Sequence, residues 1–443
     1  MTIKSRHISK IPLNDNSNGW SRILPERTPK AALDGNQKAD WVVLGAGYAG
    51  LAAARRLAEN RPQDRVILLE AHEAGENASG RNSGFAIDLP HNVGSSMAEL
   101  EGSHRFMALA RAAIDYHEVQ INRYNIQCDW SQPGKYHAAV SERGVVEVLE
   151  PFARELEALG EPYQWIEKTD LQQRLGSAHF SAAVHTPGCR LLNPAALTRG
   201  LADNLPSNVD LYEHSPVVRF EQGRGVKLST SNGTVAAAKM ILCVNGFAEK
   251  FGFYRHKLLS FAANASLSRR LTEKERDLLG CEDNWGLTPA NAFAGITMRF
   301  TRDHRLLIRQ NIYFNPAMRE TVAYREKIKR SHKKLFDQRF PMLPDVEMEF
   351  TWTGYLCLSE NGSPGFGPVA SNVYAAVCQN AVGVTKGTIS GLLAADMACG
   401  ENNELIGYMQ SLGIPNPVPP RPFLDLGVRA KMAWEIWKAR GEC

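Results

Sequence analysis

Apolar positions change period abruptly after residue 40. Trp41-Val42-Val43-Leu44 is a continuous run, long enough for one buried strand. Residues 51–57 then follow a helical pattern, with Ala52, Ala53, Ala54 and Ala58 as strong helix formers. A second run, Val66-Ile67-Leu68-Leu69, predicts a second buried strand. Between the first strand and the helix stand Gly45, Gly47 and Gly50, spaced by Ala46, Tyr48 and Ala49. Glu70 closes the second strand, twenty residues after Gly50. Strand, glycine turn, helix, strand and acid in this register predict a βαβ dinucleotide-binding unit. Gly45 permits the tight turn, Gly47 lets a pyrophosphate approach the backbone, and Gly50 lets the helix pack close to the strand. The helix start offers free N–H groups and partial positive charge to phosphates. Glu70 accepts hydrogen bonds from ribose hydroxyls and repels a 2′-phosphate, which argues against NADP.

The rest of the pattern is mixed. Met97, Leu100, Phe106, Leu109, Ala113 and His117 predict one long helix over 96–124. A strand over 135–141 precedes a helix over 142–159 with an apolar stripe of Val145, Val148, Leu149, Phe152, Leu156 and Leu159. Asn193 and Pro194 read as the N-cap and first turn of another helix. Short strands are expected at 209–212 and 216–220, a hairpin over 226–235, and a buried strand at 240–244. Further strands are expected at 258–267, 295–310, 346–358 and 373–378, with helices over 320–336 and up to 397. Residues 1–38 are polar and broken by Pro12, Pro25 and Pro29. They read as an extended surface arm, anchored by Trp20 and Ile23 and available to a partner subunit. A final amphipathic helix over 426–440 shows Ala430, Ala433, Ile436 and Trp437 on the side expected to pack on the protein's own surface.

α/β material between pieces of a dinucleotide fold predicts an α/β protein, a Rossmann-like domain with an inserted α+β substrate domain of antiparallel sheet plus helices. The expected order is an N-terminal arm (1–38), cofactor domain (39–105), substrate domain (106–187), cofactor domain (188–257), substrate domain (258–349), cofactor domain (350–420) and tail helix (421–443).

Charge and cysteine content narrow the picture. A net charge of +4 over 443 residues calls for no nucleic acid. No window has the length and apolarity of a transmembrane helix, and the N-terminus lacks the apolar core of a secretory signal. A cytoplasmic protein with reduced thiols and possible self-association is expected. The eight cysteines include no C-x-x-C pair and no zinc spacing, so no metal site is expected. Arg325, Lys327, Lys329, Arg330, Lys333 and Lys334 give the helix over 320–336 a basic, solvated face.

The segment after Glu70 is Ala71-His72-Glu73-Ala74-Gly75-Glu76-Asn77-Ala78-Ser79-Gly80-Arg81-Asn82-Ser83-Gly84. A simple NAD dehydrogenase needs no such glycine-serine loop. Here the chain resembles the D-amino-acid-oxidase-like (glycine oxidase) family of FAD proteins, and the Ala-Ser-Gly-Arg-Asn-x-Gly string most resembles its gamma-glutamylputrescine oxidoreductase branch. The resemblance implies non-covalent FAD held by the 45–50 turn, Glu70, Ala71 and the loop Ser79, Gly80, Arg81, Asn82, Ser83 and Gly84. It implies adenine contacts at Val217 and Val218, and a strand end at Asn245-Gly246 that meets the cofactor. Trp352-Thr353-Gly354 matches a motif of that branch and adds Gly354. Gly383, Val384, Thr385 and Lys386 would open the helix that points at the flavin pyrimidine, where a helix N-terminus favours negative charge. Residues 305–313 would lie against the catalytic face; Arg309 and Tyr313 within them, together with Trp352, are the pocket candidates. No single catalytic side chain is assigned.

The chain departs from the family at Asn380-Ala381-Val382-Gly383, where a Gly-His-Gly-like stretch is usual. Thr385 also stands where several amino-acid-oxidising relatives place a basic side chain, with Lys386 displaced by one. The implied activity is oxidation of an amine C–N bond: hydride passes to flavin N5, the imine hydrolyses, and oxygen or another acceptor reoxidises the flavin. A D-amino-acid or glycine-type oxidase or dehydrogenase is the alternative within the fold. A flavin monooxygenase would want a second nicotinamide motif, and none has strand context. A non-catalytic FAD scaffold that binds a partner is the reading from another class.

Overall fold

The strand Gly35–Leu44 forms the axis of the first of two large sheets. The computed structural model describes residues 4–90, 100–439 and 441–442. Residues 41–44 run parallel to Val66–Leu69, which runs parallel to Val209–Tyr212. On the other side lies Gly233–Leu242, whose C-terminal half pairs with Val373–Val377. Val42, Val43, Ile67 and Leu68 are fully buried, as expected for parallel strands covered on both faces. The helices Tyr48–Asn60 and Thr388–Cys399 cover one face and cross closely. A Cβ at Gly391 would stand 2.0 Å from the Ala49 carbonyl oxygen.

The second sheet runs in the order Met348–Leu358, Leu259–Ser268, Leu306–Phe314, Thr297–Phe300, Trp285–Pro289, Lys135–Ala139, Ala182–Thr186, Gln164–Glu167. The helix Val322–Arg339 packs on it through Ile328, His332 and Phe336. Arg299 ties the second sheet to the loop after Glu70. Its Nη1 donates to the carbonyls of Gly84 (2.9 Å) and Leu192 (2.6 Å), and the guanidinium lies over the Trp20 ring. Asn193 caps Pro194–Asp203 by accepting from the Ala195 and Ala196 amides, both at 3.1 Å.

Several expectations change. The described part of the N-terminal arm, residues 4–38, is largely exposed but fastened to the body at several points. Lys4–His7 is an edge strand paired with Arg219–Gln222, and Trp20 is 1% exposed, its indole N–H donating to the Asn82 carbonyl at 2.8 Å. The first strand begins at Gly35, six residues before the apolar run, because its polar half pairs with residues 233–237. The separate strands expected near 234 and 240 are one strand, Gly233–Leu242. The strand expected from 216 starts at Arg219, because Val217 turns inward and is buried.

A boundary at 350 does not follow the sheets either. Met348–Leu358 pairs along its length with Leu259–Ser268 and so belongs to the second sheet. The helix expected from 96 is described as Leu100–Tyr124, and residues 96–99 lie outside the described residues. The helical stretches at 142–159 and 383–399 each contain a wider π turn, Val145–Leu149 and Gly383–Gly387. The tail helix is Phe423–Lys438. It packs through Leu424, Val428 and Met432, while Ala430, Ala433, Ile436 and Trp437 face outward. Both sides of that helix carry apolar residues, so periodicity alone picked the wrong one.

Candidate active site

The glycine turn is sterically obligatory. Gly45 has φ +100°, and a Cβ on Gly50 would lie 1.7 Å from the Gly45 carbonyl oxygen. A Cβ on Gly47 would meet Ser79 Oγ at 2.6 Å, and that hydroxyl accepts from the Tyr48 amide at 3.1 Å. The turn and the loop after Glu70 thus face each other across a glycine-wide gap. Glu70 is buried and fixes both sides. It accepts from the Ala46 amide at 2.8 Å, the His72 amide at 3.1 Å and Asn77 Nδ2 at 3.1 Å. Three of roughly four carboxylate acceptor positions are occupied, which leaves about one for a ribose hydroxyl.

Two adjoining cavities meet at Gly47, Ser79, Arg81, Asn245 and Tyr355. The first is lined by Gly45, Ala46, Glu70, Ala71, Val217, Gly246 and Phe247. Residues of the N-terminal segment complete it: Ile8, Lys10, Ile11, Pro12 and Leu13. Lys10 donates to the Pro316 carbonyl at 2.9 Å, and burial with nearby cations pushes its pKa down to about 8. The second cavity is lined by Tyr48, Ala49, Asn82, Ser83, Gly383 and Val384 on the side of the first sheet, and by Thr288, Phe293, Thr297, Arg309, Ile312 and Gly354 from the second.

Other expected site residues serve the frame. Gly50, Gly80 and Gly84 line neither cavity. Gly84 has φ +74°, and a Cβ there would strike the Leu192 carbonyl oxygen. Arg81 borders both cavities, but its guanidinium is spent on the Glu76 and Thr353 carbonyls, Asn14 and Asp15. Val218 uses its N–H on the Ser229 carbonyl and its C=O on the Ile8 amide, so only Val217 faces the first cavity. Thr385 is fully buried and donates to the Ile87 carbonyl at 3.1 Å. Lys386 is buried and outside the cavity lining, and burial lowers its pKa to about 8.

Of the three pocket candidates, only Arg309 lines a cavity. Trp352 is a core residue. Its ring meets Trp20 edge-on at 6.4 Å between centroids, and its N–H donates to the Arg81 carbonyl at 3.0 Å. Tyr313 points away, bonded to Glu320 and packed on Tyr324. Arg309 Nη2 donates to Thr297 Oγ1 at 2.6 Å, while its buried Nη1 has no hydrogen-bond partner. Gln379 lines the same cavity. Its Oε1 accepts from Ser390 at 3.0 Å and its buried Nε2 is also without a partner. Gln379 follows Cys378 and precedes Asn380 and Ala381, all three with positive φ, a rare run of non-glycine residues. No motif marks Gln379 or the N-terminal residues; only the three-dimensional structure brings them to the cavities.

These features suit FAD. The glycine-wide gap admits a pyrophosphate, Glu70 keeps an acceptor for ribose, and orphaned donors face the far cavity. When bound, FAD supplies the hydride-accepting redox chemistry.

Comparison with known proteins agrees. Residues 40–397 match the family model DAO, FAD dependent oxidoreductase. The chain is 26% identical over 410 residues to the probable oxidoreductase OrdL of Haemophilus influenzae, covering 89% of this chain and 90% of that protein. It is 25% identical over 386 residues to gamma-glutamylputrescine oxidoreductase of Escherichia coli, covering 84% and 86%. The crystal structure of glycine oxidase from Geobacillus kaustophilus superposes with a TM-score of 0.70 at 20% identity, covering 83% of this chain and 96% of that one. The chain belongs to the DAO family of FAD-dependent oxidoreductases.

Proposed function

We propose that this enzyme oxidises the C–N bond of an amine whose carboxylate lies away from the reacting carbon and is held by Arg309. The observation that carries this reading is the Arg309 guanidinium: buried and facing the cavity, with no carboxylate partner and an unbonded Nη1 among the described residues. An unpaired buried cation is costly, and a substrate carboxylate offsets that cost with charge-assisted hydrogen bonds. The position that carries a basic group in amino-acid-oxidising relatives is Thr385, which is turned to the Ile87 carbonyl and absent from the cavity wall. The name of the Escherichia coli relative describes such a compound, an amine bearing a remote amino-acid carboxylate.

Within the cavity, Phe293, Ile312, Pro289 and Ala263 surround the substrate chain and exclude water. Arg309 fixes one end, and Thr297 holds the guanidinium in place through Nη2. Gln379 Nε2 offers a second donor near the π turn at Gly383–Gly387. Among the described residues no carboxylate or imidazole lines this cavity, which fits an amine that arrives deprotonated. Oxygen is proposed as the final acceptor.

The test is stopped-flow reduction of the bound flavin by matched substrates: an amine, its α-carboxylated analogue, and its analogue with a remote carboxylate. The remote acid should bind most tightly. Arg309→Met should raise its apparent dissociation constant by one to two orders of magnitude, with little change for the plain amine, as expected for a lost charge-assisted bond of about 1.5–3 kcal/mol. Equal losses for all three substrates, or fastest reduction by the α-amino acid, would contradict the proposal. Oxygen consumption that follows flavin reduction tests the acceptor.

A further inference from the structure

The C-terminal helix Phe423–Lys438 contains no buried residue. Its inward side is Leu424, Val428 and Met432, spaced four apart, which join the apolar cluster of Leu259, Phe261, Phe314 and Val418. At helical spacing, Phe423, Leu426, Ala430, Ala433, Trp434 and Trp437 fall on the opposite side. Phe423 is 69% exposed, Leu426 66%, Trp434 56% and Trp437 50%. The two indoles stack with centroids 5.0 Å apart, forming one broad aromatic plate.

Charge is sorted around the same helix. Arg429 borders the outward face on one side, and Lys431 and Lys438 border it on the other. Both acids, Asp425 and Glu435, fall on the inward half and are partly buried, and Asp425 is further paired with Arg421 at 3.5 Å. An apolar face carrying tryptophan, with a rim of cations and acids turned inward, is the composition of a helix that lies in a membrane interface. No described helix is long and apolar enough to cross a membrane.

We propose that this face seats the enzyme on an anionic bilayer, with the helix lying in the plane of the headgroups. Phe423, Leu426, Trp434 and Trp437 enter the acyl boundary. Arg429, Lys431 and Lys438 meet lipid phosphates. A second copy of the chain fits the face poorly: an apposed helix would bring its own rim cations to these, and the acids that could neutralise them face inward. The seat adjoins the substrate cavity, because Ile312, Leu356 and Leu358 belong to the cluster under the helix and also line that cavity.

The test is flotation of the full-length, FAD-loaded protein with vesicles of phosphatidylcholine alone, or of phosphatidylcholine mixed with phosphatidylglycerol. The protein should float with the mixed vesicles, in a salt-sensitive manner, and not with the neutral ones. Lys431→Gln and Lys438→Gln should each weaken binding about five-fold. The double variant Leu426→Gln/Trp434→Gln should lose binding while keeping the flavin absorbance of the folded enzyme. Absence of flotation with the mixed vesicles, or wild-type binding by the double variant, overturns the proposal. So does a dimer that the double variant dissociates while neither protein floats, which assigns the face to a second copy.

Discussion

Glu70 offers a quantitative test of how the cofactor turn is built. Its carboxylate holds the Ala46 amide, the His72 amide and the Asn77 side chain at once, and so couples the glycine turn to the loop after the second strand. Removing it strips three donors of their partner. An unsatisfied buried donor costs about 1–3 kcal/mol, and the half-buried donors of His72 and Asn77 less than the buried Ala46 amide, so Glu70→Ala should lower the stability of the cofactor-free protein by about 3–5 kcal/mol. A Glu70 that served the ribose alone would give a variant that folds well and merely binds FAD less tightly; these hydrogen bonds predict damage to both. Glu70→Gln is the gentler probe. One amide oxygen cannot replace both carboxylate oxygens, and an NH2 turned toward the Ala46 N–H, or toward His72 and Asn77, sets donor against donor. We expect a stability loss of about 2–4 kcal/mol and an FAD affinity weaker by at least tenfold. Urea unfolding of the cofactor-free variants and FAD titration by fluorescence measure the two effects separately. A Glu70→Gln protein with the wild-type urea midpoint and wild-type FAD affinity would refute this account of the turn.

Three further outcomes are expected. Gly391→Ala places a methyl group against the Ala49 carbonyl oxygen, so it should force the helices Tyr48–Asn60 and Thr388–Cys399 apart and cost about 1–3 kcal/mol, read by thermal unfolding. Gln379→Leu should leave stability within about 1 kcal/mol, because Nε2 is already unpaired, yet weaken binding of the ligands that fill the second cavity, read by titration with FAD and with substrate. Burial lowers the pKa of His117 from an ordinary 6.5 to about 4, partly opposed by its hydrogen bond to the Val384 carbonyl. The unfolded chain therefore binds the proton more readily. The resulting stability is fully present above pH 6.5 and is lost as pH falls toward 4, by about 3 kcal/mol. His332, lowered to about 4 by burial, acts in the same direction. Urea midpoints across this range should fall with pH, and less steeply in His117→Gln.

The cofactor unit was legible because its signals are local. Two apolar runs, three glycines and one acid lie within thirty residues, and each has a backbone reason for its place. Asn193 was legible as a cap for the same reason. Long-range pairing was not. The N-terminal segment looks solvated in sequence, yet Asp15 meets Arg81 at 2.9 Å, Trp20 reaches Asn82, and Lys4–His7 pairs with residues beyond 218. Its polar residues are consumed by partners far along the chain. Trp352 and Tyr313 match the pocket by residue type and strand position, but Trp352, on the same strand face as cavity-lining Gly354, is covered by Trp20, and a bulge between Gln310 and Tyr313 turns Tyr313 toward Glu320. Arg309 carried a readable signal, a cation that directly follows the apolar run Leu306-Leu307-Ile308. Gln379 carried none, since its importance lies in an unpaired nitrogen that only the folded chain reveals.

The most direct measurement is anaerobic titration of the purified protein with primary amines, followed in the visible spectrum, with acid release and identification of the cofactor. The account predicts a yellow protein that yields intact FAD, loses its flavin absorbance on addition of an amine bearing a remote carboxylate, and regains it when oxygen is admitted. A colourless protein that binds NAD and ignores FAD would contradict the reading of the glycine turn. A yellow protein that no amine or amino acid bleaches would contradict its assignment as an amine-oxidising enzyme.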